Sequence, residues 1–214
     1  MTLTESELRD RLAALEHRIV EAGGSVETTR VLAVTKTFGA EIARLAVNIG
    51  LVELGENYGQ ELAEKGPALA DLAVQWHFIG ALQRNKVKKI APYVSVWQTV
   101  DRVELAAEIA KRAAGAAVLV QVNTTNEAQK SGCAPASAPA LVDQCRELGL
   151  DVQGLMTIGP TDGASPGPSF EQLRVLRDRL GLIELSMGMS GDLEVAVAEG
   201  STMIRVGTAL FGPR

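Results

Sequence analysis

The stretch Val31-Leu32-Ala33-Val34-Thr35-Lys36 decides how the chain is read. A short apolar run rich in β-branched residues, followed by Thr37-Phe38-Gly39, predicts a buried strand whose last residue emerges at the carboxyl edge of a sheet. Period-two alternation puts Leu32, Val34 and Lys36 on one face, so the ammonium follows two core residues out of an apolar interior. Desolvation there disfavours the charged form and lowers its pKa, which suits an imine-forming lysine. A solvated lysine at a strand end would have the same local sequence, so the rest of the chain must decide.

Outward from this strand one grammar repeats. Upstream, residues 3–22 predict a helix with a Thr4/Glu7 capping box, an apolar stripe of Leu8, Leu12, Leu15 and Ile19, and a stop at Gly23-Gly24, with His17 on the solvent side. Downstream, helices over 40–48, 58–72, 85–90, 102–114, 139–148, 170–180 and 193–199 alternate with strands over 51–57, 74–80, 94–100, 117–122, 152–158, 182–189 and 202–207. Strict alternation implies parallel pairing through right-handed crossovers. The expectation is α/β: a (β/α)₈ TIM-type barrel, a single domain over 1–214 with an extra N-terminal helix; an open doubly wound sheet is the alternative. The Pro/Gly-rich loop Pro160 to Pro168 reads as a mobile lid or a tolerated insertion.

Composition narrows the functional classes. The 214 residues are 46% hydrophobic and 22% charged, ordinary for a globular protein, and no apolar run reaches membrane-spanning length. The acidic N-terminal segment, Met1 to Glu7, lacks the basic and apolar regions of a signal peptide, which points to a cytoplasmic protein with no membrane association. Cys133 and Cys145 have no zinc-site spacing and read as free thiols. A net charge of −5 argues against a nucleic-acid surface, and the basic turn Arg84 to Lys89 reads as a solvated helix face.

In such a barrel the chemistry lies at the carboxyl ends of the strands. Those ends are polar here: Lys36, Gly55-Glu56-Asn57-Tyr58, Trp76-His77-Phe78-Ile79-Gly80, Gln121-Val122-Asn123, Ser186 through Met189-Ser190-Gly191-Asp192, and Arg205-Val206-Gly207-Thr208. Ser190-Gly191 with Asp192 as a helix N-cap, beside Gly207-Thr208, resembles a phosphate site; ordinary turn and capping residues are the alternative. Arg205 shares a face with Met203 and Gly207, so its guanidinium would stand among core layers and need a partner, either a carboxylate or a ligand nitrogen. Lys36, Arg205 and a phosphate cup across one mouth suggest a phosphorylated aldehyde such as pyridoxal 5′-phosphate (PLP). His77 could be a general base but fits a structural role better. Lys86 and Lys130 are rival imine lysines, disfavoured because neither ends an apolar strand.

Several of these stretches together resemble the YggS/PROSC family of PLP-binding homeostasis proteins: Ala33 to Lys36, Gly55 to Tyr58, Trp76 to Gly80, Lys130-Ser131-Gly132, Gly154-Leu155-Met156, Leu185 to Ser190 with Asp192, and Gly200-Ser201-Thr202 through Arg205, Gly207, Phe211 and Gly212. The resemblance covers nearly the whole chain. It implies a monomeric or weakly associating barrel similar to the N-terminal domain of alanine racemase, with PLP on Lys36 as a Schiff base. By the same resemblance Ser190, Gly207 and Thr208 hold the phosphate, Arg205 faces the pyridine nitrogen, and Asn57 and the backbone near Met189 line the pocket. The implied role is vitamin B6 and amino-acid homeostasis, with apo PLP-dependent enzymes as possible partners and no catalytic turnover. A PLP-dependent racemase and a cofactor-free Schiff-base or phosphate-binding barrel enzyme are the competing classes. Racemisation needs a base on each face of the substrate. Lys36 supplies one, and neither Tyr58 nor Tyr93, the two tyrosines of the chain, is evidently placed to supply the other.

Overall fold

In the computed structural model, which describes residues 3–213, helix α1 (Glu5–Glu21) starts at Thr4. The Glu7 N–H donates to Thr4 Oγ1 at 3.3 Å and the Thr4 N–H donates to the Glu7 carboxylate at 2.8 Å, which satisfies N–H groups that have no partner inside the helix. Leu8, Leu15 and Ile19 are buried, Leu12 is half-buried, and His17 is exposed beside Glu21, as the stripe predicts. Met1 and Thr2, where the acidic N-terminal reading begins, lie outside the described residues, as does Arg214.

The alternation then unfolds as β1 (Arg30–Val34), α2 (Ala40–Asn48), β2 (Glu53–Glu56), α3 (Gly59–Ala68), β3 (Gln75–Phe78), α4 (Arg84–Ile90), β4 (Val94–Val100), α5 (Val103–Arg112) and β5 (Ala117–Gln121). A 3₁₀ turn (Pro135–Ser137) leads into α6 (Ala138–Glu147), β6 (Asp151–Met156), α7 (Gly167–Arg179), β7 (Glu184–Ser186), α8 (Leu193–Ala198), β8 (Met203–Val206) and α9 (Thr208–Phe211). All eight strands are parallel and follow chain order around a closed barrel, β8 pairing back onto β1 with Leu32 opposite Arg205. This is the (β/α)₈ barrel, and the open-sheet alternative falls.

Alternation along each strand separates two cores. Ala33, Leu54, Trp76, Phe78, Trp97, Val118, Val120, Leu155, Leu185, Ile204 and Val206 face the helices and join one apolar cluster with them. Leu32, Val34, Leu119 and Met203 are buried apart from that cluster, inside the barrel, with the polar residues His77, Gln98, Gln121, Ser186 and Arg205. A barrel interior is usually filled by branched apolar residues, so this one is unusually polar.

The structure corrects several boundaries. β1 ends at Val34, so Lys36 lies in the turn beyond it: the Thr35 N–H still donates to Gly55 O at 3.0 Å, then Thr37 bends the chain at φ +67°. β7 is much shorter than 182–189, because the chain peels away at Gly188, where φ is +93°. α3 stops at Ala68, short of 72, with Pro67 in its last turn; the Leu69 N–H closes on Lys65 O at 3.0 Å and the Ala70 N–H tightens onto Pro67 O at 3.4 Å. Gly167 and Pro168 belong to the first turn of α7, where proline is favoured, and not to the preceding loop. α9 was not anticipated; four residues are too few to show a period.

Closure between β6 and β7 depends on a missing side chain. A Cβ at Gly154 would stand 2.1 Å from the Glu184 carbonyl oxygen. Gly154→Ala is therefore expected to cost about 1–3 kcal/mol, the usual range for overpacking, read as a lower denaturation midpoint. An unchanged midpoint would mean that the two strands part there freely.

Candidate functional site

The carboxyl ends of the strands enclose a cavity of about 320 Å³, within the range of small-ligand sites. It brings together Lys36, Asn57, Met189, Ser190, Arg205, Gly207 and Thr208, the seven residues that the resemblance assigns to the pocket. Val34, Ile79 and Ile158 supply apolar wall. Ile79 and Ile158 were not singled out beforehand. Their signal was an apolar run continuing past the last sheet hydrogen bonds.

The turn carrying Lys36 is held from below by a second lysine. Lys65 of α3 is buried, and its Nζ donates to the Thr35 carbonyl at 2.8 Å, to Glu56 Oε2 at 2.7 Å and to Glu61 Oε2 at 2.9 Å. Glu61 Oε2 also accepts the Thr37 N–H at 2.8 Å, and Glu56 Oε1 accepts the Asn57 N–H at 2.9 Å. One buried ammonium thus fixes the ends of β1 and β2, and with them the backbones of Lys36 and Asn57. Thr37 adopts a left-handed conformation that β-branched residues rarely take, and the surrounding bonds hold it there. Burial pushes the Glu56 carboxyl above the usual carboxylate range, against the pull of Lys65.

Arg205 is 5% exposed. Its Nη1 donates to Ser186 O at 2.7 Å and to Ser186 Oγ at 2.9 Å, and its Nη2 donates to Thr157 O at 2.7 Å. Among the described residues it makes no ion pair with a carboxylate; two carbonyls and a hydroxyl are its partners. Burial brings its pKa down to about 10, with Asp192 opposing, so the guanidinium stays charged at neutral pH.

The two loops read as a phosphate cup sit side by side and are clasped by α1. Arg18 donates to Ser190 O at 3.0 Å while pairing with Glu194 at 2.7 Å, and Arg11 donates to Leu210 O at 2.9 Å. Asp192 occupies the N-cap position of α8 but does not cap it: its Oδ1 turns back to accept the Met189 N–H at 2.5 Å, which corrects the sequence expectation. A Cβ at Gly207 would lie 3.1 Å from the Val34 carbonyl oxygen, so the bare backbone fits where a side chain would crowd.

The other nominees fall away. His77 is buried inside the barrel below the cavity, with Nδ1 2.7 Å from Gln98 Nε2. Lys130 is engaged by Glu127 and the Gly159 carbonyl. Lys86 lines a neighbouring cavity of about 550 Å³ together with Tyr58. Neither cysteine forms a disulfide, and burial pushes both thiols up to about 11.

Comparison with known proteins gives the family and the fold. The family described as "Alanine racemase, N-terminal domain" matches residues 11–214. A Pseudomonas aeruginosa protein named pyridoxal phosphate homeostasis protein is 44% identical, over 98% of this chain and 96% of its own. The chain belongs to the pyridoxal phosphate homeostasis protein family. Another similar structure is PipY of Synechococcus elongatus with PLP bound: TM-score 0.83, 33% identity, 96% of this chain and 100% of that one. An alanine racemase from Clostridium difficile shares the barrel fold alone, with a TM-score of 0.76 at 17% identity over 98% of this chain and 57% of that one. The family read from the sequence motifs is borne out, and so is the barrel.

Removing Lys65 would leave the Glu56 carboxylate buried without its cation. The folded state would then bind the Glu56 proton more tightly than the unfolded chain, so stability falls as pH rises between the two pKa values. Lys65→Met is accordingly expected to lose about 3–5 kcal/mol at neutral pH and to regain part of it at about pH 5, measured by denaturant unfolding. A loss independent of pH would assign the defect to packing instead.

Proposed function

We propose that this protein binds PLP in the Lys36 cavity and serves PLP homeostasis as a carrier or buffer. One observation carries the reading: a lysine, a buried arginine that pairs with no carboxylate among the described residues, and a hydroxyl- and glycine-lined cup converge on a single small cavity. PLP has an aldehyde, a ring nitrogen and a phosphate, and each finds a matching group. Lys36 supplies the amine for the aldehyde. The hydroxyls of Ser190 and Thr208 and the open backbone at Gly207 receive the phosphate. Arg205 keeps guanidinium N–H donors beyond its three protein bonds and faces the ring nitrogen. Asn57 and the Met189 backbone line the ring, and Asn57 Oδ1 is buried with no hydrogen-bond partner in the protein. Bound PLP supplies an electrophilic carbon and an electron-withdrawing ring.

Catalytic turnover does not follow from this arrangement. Racemisation needs a second base opposite Lys36. Tyr58 is 51% exposed and lines the neighbouring cavity, and Tyr93 packs against Gly66 of α3. Arg205 stays protonated and leaves the ring a weak electron sink. Among the described residues no helix is long and apolar enough to cross a membrane. We place the protein in the cytoplasm as a monomeric single-domain barrel, with apo PLP-dependent enzymes as recipients.

Borohydride reduction of the PLP-loaded protein, followed by peptide mapping, is expected to place the pyridoxyl label on Lys36; a label chiefly on Lys86 or Lys130 would overturn the assignment. Ser190→Ala and Thr208→Val are each expected to weaken PLP binding by about ten- to a hundredfold while covalent attachment persists. Equal affinity of the natural sequence for pyridoxal and PLP would sink the phosphate cup. In a chiral assay, PLP-loaded protein should not turn over alanine or serine. Steady turnover abolished by Tyr58→Phe would identify a second base and an enzyme.

A further inference from the structure

Buried polar side chains form a continuous column inside the barrel, from the Lys36 cavity downward. Arg205 Nη1 donates to Ser186 Oγ at 2.9 Å, and Ser186 Oγ donates to Gln98 Oε1 at 2.6 Å. Gln98 Nε2 donates to Met203 Sδ at 3.1 Å and lies 2.7 Å from His77 Nδ1. Ser186, Gln98 and His77 are all buried, and only Arg205 among these residues lines the cavity.

The hydrogen bonds of this column run from the cavity downward. The Ser186 hydroxyl has its proton on the Gln98 carbonyl, so it meets Arg205 only as an acceptor. Gln98 Nε2 donates to the Met203 sulfur and meets His77 Nδ1; with a second amide proton directed there, the imidazole accepts at Nδ1 and carries its proton on Nε2. That Nε2 lies 3.5 Å from Glu53 Oε1, and Glu53 is held in turn by Arg30 at 2.6 Å. In this orientation the Gln98 carbonyl receives the Ser186 hydroxyl and the amide nitrogen faces the Met203 sulfur. Such a column is costly where branched apolar residues usually sit, and its upper end acts on one group, the Arg205 guanidinium.

We propose that Ser186 and Gln98 are positioning residues, with His77 fixing the Gln98 amide, and that together they orient Arg205 toward the ring nitrogen of bound PLP. The proposal rests on the reading of the cavity as a PLP site with Arg205 at the ring nitrogen.

The test compares affinities, by absorption titration, for PLP and for a deaza analogue in which carbon replaces the ring nitrogen. The proteins compared are the natural sequence, Ser186→Ala, Gln98→Met and His77→Leu, with Ser186→Thr retaining the hydroxyl. Each of the first three variants is expected to lose about three- to tenfold in PLP affinity and to bind the deaza analogue as the natural sequence does. Ser186→Thr should recover PLP affinity. Equal losses for both ligands would reduce the column to a structural prop, and no loss for either would remove it from the site; either result overturns the proposal. If the natural sequence bound neither ligand, the PLP reading itself would fail. If it bound both equally, the assignment of Arg205 to the ring nitrogen would fail.

Discussion

The pairing of β8 with β1 is the constraint on which the rest of the structure depends. A parallel barrel closes only when the tilts and staggers of its strands sum to a fixed register. Here closure sets Leu32 opposite Arg205 and Ala33 opposite Val206. Two steps further along, the turn carrying Lys36 meets Gly207 and Thr208, while Arg205 lies one layer below them. Amine, guanidinium and hydroxyl come from opposite ends of the chain and share a wall only because the sheet has no edge.

Two buried cations are treated in opposite ways. Lys65 is matched by Glu56 and Glu61, and the pair fixes backbone: desolvation of each ion costs several kcal/mol, and close carboxylates with backbone bonds offset it. Among the described residues Arg205 pairs with no carboxylate and is held by two carbonyls and a hydroxyl. A delocalised guanidinium is more weakly hydrated than an ammonium and tolerates this, with charge-assisted hydrogen bonds of roughly 1.5–3 kcal/mol each in compensation. Its charge, opposed only at a distance by Asp192 among the described residues, stands at the cavity wall.

Much of this was legible beforehand, for physical reasons that also explain the gaps. Alternation of short apolar runs with amphipathic stretches is enough for a barrel, and the Thr4/Glu7 pair marks the start of α1. Lys36 and Arg205 stood out because each interrupts an apolar inward face. Gln98 obeys the same rule within Val94–Val100 and could have been noticed; a polar residue at inward parity was the signal. Lys65 could not be found this way, since a lysine on a helix ordinarily faces water and its partner Glu56 lies in another element. Strand ends were overextended at Ile158 and Met187 because residues past the ladder remain apolar as wall or core. Asp192 was misjudged because its carboxylate had a nearer N–H, that of Met189, than those of the helix it precedes.

The grip of α1 on the two loops has a consequence for biosynthesis. Arg11 and Leu210 are 199 residues apart in sequence, and Arg18 and Ser190 are 172 apart. During synthesis α1 emerges well before the segments it fastens and must wait for them. Contacts of such separation form late, after the loop-closure entropy has been met. Until residues 190–208 have emerged, a nascent chain lacks the wall that Ser190, Arg205, Gly207 and Thr208 give the cavity.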